Sequence, residues 1–218
     1  MTELLVIRHG ETDFNRQHRF QGHADVPLNA LGLTQAERLA ARLVDEQVDA
    51  LVTSDLQRAM VTARVVARAL DREPVVEPLW REQCFGVLEG LEVSVVRRDL
   101  AALWAQWQRY DADWAPPEGE SVRAFHARVL RAVEAIAAAH GGRRVAVFTH
   151  GGVLDMLWRH ATGASLHGPR TVEIPNTGVN ILRWRDGALD VLQWADAAHL
   201  EGLPAQPSTA QRRHDDED

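Results

Sequence analysis

Short apolar runs rich in β-branched residues alternate along the chain with longer stretches whose apolar positions recur every three or four residues. These are the signatures of buried strands and amphipathic helices. Leu4 to Ile7 reads as a buried strand, stopped by Arg8, His9 and Gly10. After a loop through Pro27 and Gly32, Thr34-Gln-Ala-Glu37 has the form of a capping box, and Ala36, Leu39, Ala40 and Leu43 follow at helical spacing. A second strand is predicted over Ala50 to Thr53, with Ser54-Asp55 as the N-cap of a helix to about Leu70. Pro74 and Pro78 bracket a third strand, Val75 to Glu77. Ser121 is placed to cap a long alanine-rich helix ending at Gly141-Gly142. Val145 to Phe148 is a further buried strand, stopped by Thr149-His150-Gly151-Gly152 ahead of a helix from about Val153 to Ala161. Asp186-Gly187 between two β-type runs signals a hairpin.

Strands alternating with helices predict an α/β fold of three layers, α/β/α, with a mostly parallel central sheet and helices on both faces. The aromatic stretch from about 80 to 120, with Trp80, Trp104, Trp107, Tyr110 and Trp114, fits an inserted cap segment above the sheet. Helical spacing of Leu100, Leu103, Trp104 and Trp107 favours a core role for these rings, while their place above the sheet also suits a pocket wall. One domain is expected over residues 1–200, followed by a polar, disordered tail over 201–218.

Composition removes several alternatives. The 218 residues suffice for one well-buried domain, and no stretch approaches the ~20 apolar residues of a membrane span. No secretory signal is read at the start, and a lone cysteine, Cys84, makes no internal disulfide, so a reducing cytoplasm is the expected compartment. The net charge of -7 argues against a nucleic-acid partner. All 24 basic residues are arginine, which excludes a Walker-A lysine, a kinase lysine and a lysine Schiff base. The ten histidines form no His-Glu-x-x-His or cysteine–histidine cluster, and Gly-x-Ser-x-Gly is absent. No metal and no cofactor are therefore expected.

In open α/β sheets, ligands bind beyond the carboxyl ends of the strands. Arg8 and His9 end the first strand, His150 ends the strand Val145–Phe148, and Arg58 follows the strand Ala50–Thr53. Two guanidinium forks suit phosphate oxygens, a histidine can act as nucleophile, and Gly10, Gly151 and Gly152 let backbone amides approach an anion. Each piece also has a plain structural reading: a polar turn at Arg8-His9, a solvated helix charge at Arg58, an ion pair of Glu82 with Arg81 or Arg58. The recurrence of strand–His–Gly at two distant places favours a dianion pocket.

Residues 5–12, Leu-Val-Ile-Arg-His-Gly-Glu-Thr, resemble the signature of the histidine phosphatase superfamily, the phosphoglycerate-mutase-like proteins. The likeness continues through Asn15, Phe20-Gln-Gly22, Pro27-Leu-Asn29, Ser54-Asp-Leu-Gln-Arg-Ala59, Arg81-Glu82, Glu89-Gly90, Glu118-Gly-Glu-Ser121, Thr149-His-Gly-Gly152 and Pro175-Asn176, over about residues 3–195. The resemblance implies that His9 is the phosphorylated histidine and that Arg8, Arg58 and His150 bind the phosphate. It makes Glu82 the general acid and base, with Asn15, Gln21, Gly22 and Gly151 helping to hold the phosphoryl group. His9 would be neutral at its attacking nitrogen, with the other nitrogen donating to a backbone carbonyl such as that of Gly10; His150 would be protonated, as the phosphate dianion itself favours. Glu89 would be structural or substrate-facing, and Cys84 a small packing residue.

A metal-independent phosphatase acting on a small phosphorylated metabolite is the expected function. Sugar phosphates, phosphoglycerate derivatives, nucleoside monophosphates and α-ribazole phosphate stand open as substrates, and a homodimer is left open. The alternatives are a phosphoglycerate mutase and a non-catalytic phosphate- or phosphoprotein-binding module. Against the mutase stand the short segment between Glu89 and Glu120 and the absence of lysine; against the binding module stands the presence of both His9 and Glu82.

Overall fold

The computed structural model describes residues 1–209. Its six strands are β1 (Thr2–Arg8), β2 (Ala50–Thr53), β3 (Pro74–Val76), β4 (Arg144–Thr149), β5 (Val179–Arg185) and β6 (Ala188–Asp196). They form one sheet in the order β3-β2-β4-β1-β5-β6. The first four strands in that order run parallel, and β5 and β6 join antiparallel at one side. The sheet is mixed, parallel where the chain crosses over through helices and antiparallel where a tight turn joins β5 to β6. Asp186 and Gly187 both take positive φ in that turn, 50° and 85°, as a primed hairpin turn requires.

Alternation along β1 divides two cores. Leu4 and Val6 join Val145 and Val147 under α6 (Val122–Ala139) and α7 (Gly151–Thr162). Leu5 and Ile7 join Leu51, Ala146 and Phe148 under α2 (Ala30–Leu43) and α3 (Gln57–Leu70). Strands buried on both faces read as continuous apolar runs for this reason. A one-turn α1 (Asp13–Arg16) and the short cap helices α4 (Val93–Asp99) and α5 (Ala101–Trp107) complete the set. The cap has its own small core of Phe20, Leu88 and Val96, against which Phe85, Leu103, Trp104 and Trp107 pack.

Two helix starts differ from the sequence pattern. Helix α2 begins at Ala30, where the Asn29 side chain accepts from the Gly32 amide. Thr34 lies inside the helix, and its hydroxyl donates back to the Ala30 carbonyl. The earlier cap wins because it satisfies a free amide five residues sooner and extends the helix by more than a turn. Helix α3 starts after Leu56 with no side-chain cap, and Ser54 is turned elsewhere. Ser121 does cap α6, accepting from the Ala124 amide.

The segment expected as a polar tail begins as part of the fold. Gln206 accepts from the Asn176 amide and donates to its carbonyl, and Thr209 donates to the Glu173 carboxylate. Polar composition misleads here because these side chains satisfy the backbone of loop 173–176. Residues 210–218 of that expected tail lie outside the described residues. No helix among the described residues is long and apolar enough to cross a membrane.

Candidate active site

Strand pairing itself brings the distant residues together. Arg8 lies opposite Thr149 in the β1–β4 register, and the His9 amide continues the ladder to the Thr149 carbonyl. On the other side of β4, the Ser54 amide donates to the Phe148 carbonyl. His9, His150 and Ser54 are thus the first residues past three adjacent parallel strands, at their carboxyl ends. The rings of His9 and His150 stand 5.3 Å apart.

Each side chain is held. His9 Nδ1 donates to the Gly10 carbonyl at 2.7 Å, the partner expected from sequence, and this leaves Nε2 as the acceptor nitrogen. Asn176 donates to the His9 carbonyl, and Arg8 donates to the Ile174 carbonyl. Arg58, fully buried, donates to the carbonyls of Gly22 and Ala24. Gly22 supports Arg58 through its carbonyl. The Nε atoms of Arg8 and Arg58 have no protein partner.

Asn15 and Gln21 line the cavity, and both accept from the Thr12 hydroxyl. The plain readings of Glu82 do not hold. Arg81 pairs with Asp55, while the Glu82 carboxylate accepts from the amides of Gln83 and Gly152. Arg128 fixes the same segment by donating to the carbonyls of Leu79, Arg81 and Glu82. Glu89 accepts from the amides of His23 and Phe85, a structural role.

Burial and like charge set the electrostatics. Burial first, then the neighbouring cations, holds both His9 and His150 well below the ordinary histidine range. These influences keep both rings neutral at pH 7. The protonated His150 expected from sequence is the state with a phosphate dianion bound, whose charge offsets the cations Arg58 and Arg8. Burial also lowers Arg8 and Arg58 to about 10, with Arg170 adding to the effect at Arg8. Both remain cationic at neutral pH.

The site opens into a cavity of about 1080 Å³ lined by His9, Glu82, Arg8 and Arg58 within, and by Phe20, Phe85, Trp104, Trp107 and Tyr110 further out. Trp104 and Trp107 thus belong to both the cap core and the pocket wall. Trp114 packs on Trp107 and lines a smaller adjoining cavity instead. Sequence reasoning missed Arg170, which lines the main cavity and lies beside Arg8 across Gly151. It also gave no role to Asn176, although Pro175-Asn176 stood out as a motif.

A buried acceptor imidazole between two buried guanidinium groups can receive the phosphorus of a tetrahedral dianion. Comparison with known proteins points the same way. The model of the histidine phosphatase superfamily (branch 1) matches residues 4–197. Phosphoglycerate mutase-like protein 4 of Arabidopsis thaliana is 38% identical over 206 residues, covering 91% of this chain and 87% of that protein. The metal-independent phosphoserine phosphatase of the same plant is 35% identical over 206 residues, covering 93% and 85%. Among solved structures, a mycobacterial glucosyl-3-phosphoglycerate phosphatase in complex with VO3 superposes with a TM-score of 0.79 at 29% identity, covering 89% of this chain and 99% of that one.

Proposed function

Because the chain belongs to the histidine phosphatase superfamily (branch 1) and is a phosphoric monoester hydrolase, we propose that it cleaves a small phosphorylated metabolite through a phosphohistidine on His9. The observation that carries this reading is the state of the His9 ring. It is neutral, its Nδ1–H is committed to the Gly10 carbonyl, and its Nε2 lone pair is left for attack beside Arg8 and Arg58.

In the first step Nε2 attacks phosphorus while the ester P–O bond breaks, and Glu82 gives a proton to the departing oxygen. In the second, Glu82 takes a proton from water as the water oxygen attacks phosphorus and the P–N bond breaks, releasing inorganic phosphate. Arg8, Arg58 and His150 face the equatorial oxygens, where transition-state charge is stabilised without reorganisation. The direct test is p-nitrophenyl phosphate turnover in EDTA. The reading expects undiminished turnover by folded protein, and no release above buffer at any pH would refute it.

The position of Glu82 depends on the absence of a side chain at residue 152. A Cβ there would press into Glu82 Oε1 and crowd Phe125. Gly152→Ala should therefore displace the carboxylate, lowering kcat by about 10²-fold while phosphate still inhibits at a similar concentration. Steady-state kinetics with product inhibition check this; an unchanged kcat would remove Glu82 from the chemistry or show that it has room to move.

The cavity also bears on substrate. In a chain of net charge -7, its lining carries Arg8, Arg19, Arg58, Arg109 and Arg170 against one carboxylate, Glu82. Arg8 and Arg170 flank the same glycine, Gly151, a like-charge arrangement that an anion relieves. This favours substrates with a second anionic group near the phosphate. Phosphoserine should exceed phosphoethanolamine in kcat/KM by about tenfold or more, and Arg170→Gln should narrow the gap. Equal kcat/KM for the pair would exclude this preference.

A further inference from the structure

Ser54 stands where a helix cap was expected, but its hydroxyl is 2.9 Å from Nε2 of His150, and both residues are fully buried. Its oxygen also accepts, at 3.3 Å, from the Leu56 amide. His150 Nδ1 is buried and without a protein partner. An imidazole with one nitrogen tied to a hydroxyl has only the other to offer an anion.

The pairing with a hydroxyl is chemically specific. A hydroxyl is both donor and acceptor and rotates to suit its partner. With His150 neutral and protonated on Nδ1, the Ser54 O–H donates to the Nε2 lone pair. With His150 charged, Nε2–H donates to a Ser54 lone pair, since the Leu56 amide occupies only one of the two. A backbone carbonyl, the partner of His9, could do only the second. Resting on the phosphatase reading above, we infer that Ser54 is a positioning residue that turns His150 Nδ1 toward the phosphoryl group and, by reversing its hydrogen bond, lets His150 take up a proton when the dianion binds.

The surroundings say why a proton would move. The groups facing His150 are Arg58 from α3, Arg8 and His9 from the end of β1, and His23 from the following loop. The Glu82 carboxylate lies against the Gly152 amide. The cations oppose a positive charge on the buried ring. A bound dianion cancels them and favours imidazolium. The proton comes from solvent, and binding strengthens as pH falls.

The test uses tungstate, a tetrahedral ion that stays dianionic at pH 8, so that any proton taken up belongs to the protein. Calorimetric titrations in two buffers of different ionisation enthalpy give the number of protons bound. The wild type should take up close to one proton per tungstate. Ser54→Ala should take up markedly fewer and bind about tenfold to hundredfold more weakly, with its melting temperature recorded to establish folding. His150→Asn should abolish the uptake. A merely structural Ser54 would weaken binding and leave the proton count intact, which overturns the inference. Undiminished uptake in His150→Asn would place the proton on another group of the site, Glu82 or His9, and overturn it as well. A wild type that binds tungstate with no proton uptake sinks the Ser54 inference alone, and one that binds no tungstate sinks the phosphatase reading with it.

Discussion

His9→Ala should yield a folded protein whose phosphomonoester turnover is lost by at least about 10⁴-fold. The loss is large because no other side chain in the cavity combines a lone pair, neutrality at pH 7 and a place between Arg8 and Arg58. His150 is neutral too, but its Nε2 is engaged by Ser54. Folding should survive because the His9 side chain makes one hydrogen bond, to its own neighbour Gly10, worth about 1 kcal/mol. The β1 ladder needs only the His9 amide, which the substitution keeps. Removing a buried imidazole beside two cations leaves no unpaired charge. A variant with a wild-type melting temperature and wild-type turnover would take away the proposed nucleophile.

The second large effect depends on the leaving group. In Glu82→Ala, the first turnover of an alkyl phosphate should slow by about 10²–10⁴-fold, because the departing alkoxide then leaves unprotonated. The first turnover of p-nitrophenyl phosphate should change little, since p-nitrophenolate needs no proton. Its later turnovers should slow, because water attack on phosphohistidine has lost its base. A burst of one nitrophenolate per enzyme should therefore appear in rapid mixing. Alanine is the better probe than glutamine. Both Glu82 oxygens accept backbone amides, from Gln83 and Gly152, and a glutamine NH2 group would meet one of those donors head-on. Equal slowing of both first turnovers would count against the acid role.

The parts of this site legible in the sequence share one property: they end strands. Arg8, His9 and His150 each follow a run of apolar β-branched residues, and the rule that ligands bind at strand carboxyl ends brings them to one edge before any contact is known. Arg58 was legible one step further, as a residue at the start of the helix after β2. Partners chosen by long-range packing were not legible. Ser54 is 96 positions from His150, and its local pattern is that of an N-cap, which points to a nearer partner. The motif marks the loop of Gly22, but not the support that its carbonyl gives Arg58, 36 positions on. Arg170 lies in the irregular stretch between α7 and β5, where no periodicity marks which side chains turn inward. The cap aromatics were legible as a group and ambiguous in use, and Trp107 fills both uses at once.

The same contrast explains the fold. The two-core sheet follows from continuous apolar runs such as Leu4 to Ile7, which can be buried only between layers. The start of α2 did not follow, because the Thr34 pattern and the Asn29 cap compete locally and only the second satisfies a free amide without shortening the helix.

The central claim is a covalent bond between phosphorus and one nitrogen. Rapid acid-free quenching of the enzyme with radiolabelled substrate, followed by peptide mapping under alkaline conditions that preserve phosphohistidine, tests it most directly. The expected result is label on the peptide carrying His9, at Nε2, absent from His9→Ala and accumulating in Glu82→Ala. Label on another residue, or full turnover with no labelled enzyme at any quench time, would contradict the account.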